Sequence, residues 1–161
     1  VFNRASTFPY WFATIALLAA SSSYVNARLV RKLGMRMLTS IAFRAQVCFS
    51  ALVFLFYWLG YFEGQFGFFC FLFWMFSIFF QAGLTMGNLT ALAMEPVGHI
   101  AGTAASLVSA IAIIGSVLLA AIVGQFFDGT PAAMIAGVAL FATLGAISSN
   151  RLKRYDRASK L

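Results

Sequence analysis

From Phe66 to Ala93, and again from Ile100 to Phe127, the chain runs without a single Asp, Glu, Lys or Arg. Each stretch exceeds the ~20 apolar residues that an α-helix needs to cross the hydrocarbon of a bilayer. Two of them within 161 residues leave a soluble fold too little interior to hide them. The composition agrees: 62% of residues are hydrophobic and only 9% charged, against about 25% charged in soluble domains. The apolar residues come in long blocks separated by short polar clusters, so lipid is the expected solvent for their outer faces.

This blocking predicts an all-α membrane protein with five transmembrane helices. The first covers about Tyr10 to Asn26, with Tyr10 and Trp11 as an interfacial aromatic anchor. The second covers about Leu38 to Gly60, with Tyr57 and Trp58 at its far interface. A tight turn, Tyr61 to Gln65, precedes the third, about Phe66 to Ala93, which is long enough to tilt or project. Met94 to His99 interrupts the pattern with Pro96, which lacks a backbone donor, and Gly98, which eases turning. The fourth span covers about Ala101 to Phe126, the turn Phe127 to Pro131 follows, and the fifth covers about Ala132 to Ser149. The expected organisation is residues 1–9 as an extracytoplasmic segment, 10–150 as the membrane bundle and 151–161 as a solvated, basic, cytoplasmic tail. The chain opens on Val1, so an upstream segment is expected, and no secretory signal pattern marks its start.

Formal net charge is +7, and the basic residues gather in two islands, Arg28/Arg31/Lys32/Arg36 and Arg151/Lys153/Arg154/Arg157/Lys160, with Arg4 and Arg44 the others. Glu63 and Asp128 mark the alternate loops. Basic loops favour the cytoplasm, which places the chain's start outside and its end inside. The same rule accounts for the charge without nucleic acid as a partner.

No constellation for covalent or metal chemistry is present. Cys48 and Cys70 stand alone inside apolar stretches and read as small core residues, and with one histidine and four acids no metal site or other cofactor is expected, nor an enzyme. Polar residues within the spans carry more information. Gln81, Thr85 and Asn88 share one face of the third span, where they either line a substrate cavity or bond to neighbouring helices. Small residues recur at four-residue spacing, as in Gly83/Gly87, Gly102/Ser106/Ala110, Ala120/Gly124 and Ala133/Gly137, a pattern that lets helices approach closely or slide. Arg44 is placed to snorkel, or to meet substrate or a carboxylate. Glu95 and His99 form a titratable pair at a helix boundary, and no acid falls at mid-membrane.

The stretch Asn88 to Ser106, with Met94-Glu95-Pro96-Val97-Gly98-His99 and Gly102-Thr103-Ala104-Ala105-Ser106 inside it, resembles the junction of the tenth and eleventh helices in bacterial multidrug transporters of the Bcr/CflA type, within the major facilitator superfamily. Val123-Gly124-Gln125-Phe126-Phe127-Asp128-Gly129-Thr130-Pro131 looks like the outer turn that follows there. Val25 to Arg36 is similar to the loop between the eighth and ninth helices, with Gly34, Lys32 and Arg36 on matching positions but Ala27 and Arg31 where that motif carries glycine and aspartate. The resemblance implies five helices of a six-helix bundle, paired with an amino-terminal half, in the bacterial inner membrane. It implies proton-coupled export of small lipophilic compounds, with coupling acids in that other half. Arg28, Arg31, Lys32, Gly34 and Arg36 are the matching cytoplasmic loop, expected to take part in gating, and the Glu95/His99 pair is read either as part of that gate or as a helix-end cap. A carrier for a defined metabolite and a non-transporting membrane fragment are the alternatives.

Overall fold

In a computed structural model, which describes the backbone of residues 6–158 and the side chains of residues 6–151, the chain is helical almost throughout, with no strand among the described residues. Six α-helices follow one another: α1 (Phe8–Ala19), α2 (Ser21–Leu33), α3 (Met35–Trp58), α4 (Gly64–Met94), α5 (Ala101–Gln125) and α6 (Ala132–Ala158), with a 3-10 turn, Glu95–Ile100, between α4 and α5. Helices α3, α4, α5 and α6 start within three residues of the second to fifth stretches read as spans. The first is a correction. It is two helices, 12 and 13 residues long, and neither half alone reaches the ~20 residues of a span. They meet at Ala20, whose backbone stays helical (φ −58°, ψ −25°), so the break is a lapse in the hydrogen-bond ladder. Three consecutive serines cause it: Ser21 donates its hydroxyl to the Leu18 carbonyl at 2.6 Å, and such local bonds compete with the helix.

A second correction concerns the basic loop. Arg28, Arg31 and Lys32 are helical, in the last turns of α2, and Arg36 lies in the first turn of α3. Arginine and lysine are good helix formers, and cations favour a helix carboxy-terminus. Only Gly34 separates the two helices, at φ +77°, ψ +156°, a region open essentially to glycine alone. At the other extremity α6 does not stop at Ser149 but continues to Ala158, so the start of the expected tail is helical. Residues 159–161, including Lys160, and residues 1–5, including Arg4, lie outside the described residues.

Three continuous helical runs are long and apolar enough to cross a membrane: Met35–Trp58, Gly64–Gln125 and Ala132–Arg151. The second contains two of the expected spans, α4 and α5, broken where Val97 leaves helical geometry (φ −120°, ψ 29°) one residue after Pro96. α5 has no buried residue; Ile111, Ile114 and Leu118 are each more than 60% exposed. A helix apolar on every face demands a non-aqueous surrounding.

Helices α3, α4 and α6 form the body, α1 and α2 pack along α4, and the chain runs up and down. Arg36 at the start of α3 pairs with Glu95 at the end of α4 at 3.0 Å, and the Asn150 amide oxygen of α6 accepts bonds from Ser40 and Arg44 of α3. At the opposite end Phe62, between α3 and α4, packs in one core cluster with Val53, Trp74 and Ile135. Ile15, Phe68 and Leu72 form a second cluster beneath Trp11. Close approach uses part of the small-residue pattern. Gly83 has no room for a Cβ because of Ser22, and a Cβ on Gly137 would stand 3.1 Å from Val123. Gly87, Gly102 and Gly124 face open space.

Candidate functional site

The polar face expected on α4 divides. Asn88 is buried and donates to the Asn26 amide oxygen of α2 at 2.8 Å and to the Leu84 carbonyl at 2.7 Å. Thr85, also buried, donates to the Gln81 carbonyl at 3.0 Å. Asn88 therefore ties α4 to α2, while Thr85 is bonded within α4 itself. Gln81 is different: its side-chain nitrogen reaches the Thr85 hydroxyl at 3.3 Å, and the residue lines a groove of about 470 Å³ between α2, α3 and α4.

The walls of that groove follow from helix periodicity. On α3, Leu38, Ile41, Ala42, Ala45 and Phe49 recur every three or four positions; on α4, Phe73, Phe76, Ser77, Phe80 and Leu84 do the same; Leu29 closes it from α2. The rings form a continuous surface, with Phe49 edge-on to Phe73 at 5.5 Å, Phe73 stacked with Phe76 at 6.2 Å and Phe76 against Phe80 at 5.5 Å. Phe73 and Phe76 also form one wall of a second groove, about 380 Å³, where Trp11, Ile15 and Leu18 of α1 face α4. The phenylalanine ridge of α4 thus borders two adjoining apolar channels.

Two amides interrupt the apolar lining, Gln46 from α3 and Gln81 from α4. Gln46 is buried, and its nitrogen reaches the Ser50 hydroxyl at 3.2 Å; that same oxygen accepts the Trp74 indole N–H at 3.0 Å. Among the described residues, neither glutamine side-chain amide oxygen accepts a hydrogen bond from another group. The site can therefore hold an aromatic or aliphatic body and offer it one or two directional hydrogen bonds, the usual makeup of a pocket for lipophilic small molecules. The sequence flagged Gln81; Gln46 and the Ser50–Trp74 pair became visible only once α3 and α4 were packed. Their signal was a serine and a glutamine, one turn apart, inside an apolar block.

The expected gating residues do not converge on the groove. Arg36 and Glu95 form the ion pair already described, with side chains 42% and 63% exposed, worth about 0–1 kcal/mol at such exposure. Arg28 lies over the Tyr24 ring, 4.4 Å from its centroid, and Arg31 donates to the Ala27 carbonyl at 3.2 Å. His99 ends the 3-10 turn, exposed and without contact to Glu95 among the described residues. Arg44 meets an amide, Asn150, rather than a carboxylate. No cluster of His, Cys, Asp or Glu suited to a metal occurs among the described residues. Compared with family models, with curated proteins and with solved structures, the chain matches none.

Proposed function

We propose that the chain is part of a secondary active transporter that exports small lipophilic compounds in exchange for protons, with five membrane spans of a major facilitator superfamily bundle. The observation that supports this reading is the phenylalanine-walled groove with the Gln46 and Gln81 amides at membrane depth. A wall so poor in polar groups suits varied lipophilic molecules better than a defined polar metabolite. In this reading α1 and α2 act as one span, since Ala20 keeps the helical path, and the end carrying Arg28, Arg31, Lys32 and Arg36 faces the cytoplasm. Glu63, Glu95 and Asp128 stand at helix ends or in turns, so the coupling carboxylate is expected on a partner bundle, the amino-terminal half, in the bacterial inner membrane. The test is accumulation of a fluorescent lipophilic cation in cells expressing the full reading frame. Lower accumulation, restored by a protonophore, is expected; unchanged accumulation at good expression would sink the proposal.

A further inference from the structure

The groove is not symmetrical along its length. Its lining runs from Leu38 to Phe49 on α3 and from Phe73 to Leu84 on α4, eleven residue steps each and thus about 16 Å at 1.5 Å per residue. It also opens sideways, with Ile41 42% and Phe73 60% exposed. One end is charged. Leu29 is the α2 wall residue; Arg28 adjoins it, and Lys32 lies one helical turn nearer the end of α2 on that side. Arg31 lies on the far face of α2, about 160° round from Leu29, with its guanidinium turned back to the Ala27 carbonyl. None of these three cations meets a carboxylate among the described residues, where Arg36–Glu95 is the single ion pair. The opposite end, near Phe49 and Phe73, has no basic residue close by in sequence.

We infer that this groove docks an anionic glycerophospholipid, one acyl chain lying along Phe73, Phe76 and Phe80 and the phosphate held at the end of α2 by Arg28 and Lys32. The dimensions suit a chain: 16 Å is the extended length of about a dozen methylenes. An acyl chain gains little in passing from the bilayer to the groove, so selectivity falls to the headgroup, where cations favour negative charge. Two cations there favour a net-negative headgroup over a zwitterionic one by up to about thirtyfold. The arginine fork and the helix carboxy-terminus divide the work: the dipole holds the cations in place, and the Arg28 guanidinium matches phosphate oxygens. The inference needs the membrane setting of the helices and does not depend on export.

The test is native mass spectrometry of the detergent-purified full chain, equilibrated in turn with dioleoyl phosphatidylglycerol and dioleoyl phosphatidylcholine. Retention of the first at least tenfold above the second is expected, together with a rise in Tm on adding phosphatidylglycerol. Replacing Arg28 and Lys32 together by glutamine should abolish that preference, while Arg28→Lys, which keeps the charge, should retain most of it and Arg31→Gln, on the far face of α2, should leave it unchanged. Ala45→Phe, filling the groove, should lower retention of both lipids, and Ala112→Phe on α5 should not. Equal retention of the two lipids by the parent protein, an undiminished preference in the glutamine variant, or undiminished retention of both lipids in Ala45→Phe, would overturn the inference. Export assays report separately: flux without lipid preference removes this inference alone, and lipid preference without flux removes only the transport reading.

Discussion

Asp128 and Gly34 are single residues on which a connection depends. Between α5 and α6 the Asp128 carboxylate accepts the Thr130 hydroxyl at 2.6 Å and the Thr130 backbone N–H at 3.0 Å, and the Thr130 hydroxyl accepts the Ala132 N–H at 3.4 Å, with Pro131 supplying no donor of its own. The Thr130 side-chain bond first, and its backbone bond second, hold the Asp128 carboxyl below its ordinary value of 3.8. A depressed carboxyl contributes order that is complete above pH 3.8 and is lost as pH falls through its lower folded value. The Thr130 amide resonance should therefore titrate with a midpoint below 3.8, and Asp128→Asn should abolish the titration; a midpoint at or above 3.8 would refute the bond. Gly34 is held by backbone conformation alone, since a Cβ there would meet nothing within 4 Å. Gly34→Ala should cost about 1–3 kcal/mol, read as a lower midpoint of denaturant unfolding in detergent, whereas Gly102→Ala, in equally open space and within α5, should be neutral or slightly stabilising.

Among the elements, α4 touches the most neighbours, α1, α2, α3, α5 and the 3-10 turn, and shows the clearest division of labour. Its Asn88–Asn26 bond fixes α2 against it, and interhelical bonds of this kind contribute about 0.6 kcal/mol, reaching about 1.7. Asn88→Ala should lower stability by that amount in a thermal melt and should reduce folded yield before it changes any substrate range. Gly83→Leu should be worse: a side chain would collide with Ser22, and overpacking costs about 1–3 kcal/mol, measurable as separation of α2 from α4 in cysteine cross-linking between their facing surfaces. Gln81→Ala, by contrast, leaves the helix contacts intact and should alter transport of hydrogen-bonding substrates while expression holds. Equal loss of expression in Gln81→Ala and Asn88→Ala would return Gln81 to a packing role.

For the whole molecule, the Arg36–Glu95 pair shows how position and energy separate. It joins residues 59 apart in sequence and marks the two connections as neighbours at one end of the bundle, yet its exposure keeps its contribution at about 0–1 kcal/mol. Glu95→Gln should accordingly shift the unfolding midpoint little, and any loss of transport in that variant with stability preserved would assign the pair to gating. Much of this was legible in sequence. The uncharged blocks, Pro96 and the Tyr61–Gln65 turn placed α3, α4, α5 and the start of α6, because in lipid every backbone polar group must be satisfied within its own helix and length alone then sets the elements. The exceptions lay where local and long-range effects compete: Ser21 to Ser23 broke the first span, and the basic residues after Asn26 extended a helix that was read as a loop. Gln81, Thr85 and Asn88 were correctly grouped on one face, but periodicity says which residues share a face and nothing of what lies opposite. Only packing decided that Asn26 would take Asn88, that Ser22 would close over Gly83, and that Gln46 would join Gln81 across a wall of phenylalanines. The sequence determined the helices through local hydrogen bonding and the demand for an apolar surrounding; the tertiary structure determined which polar groups were spent on one another and which remained facing a groove.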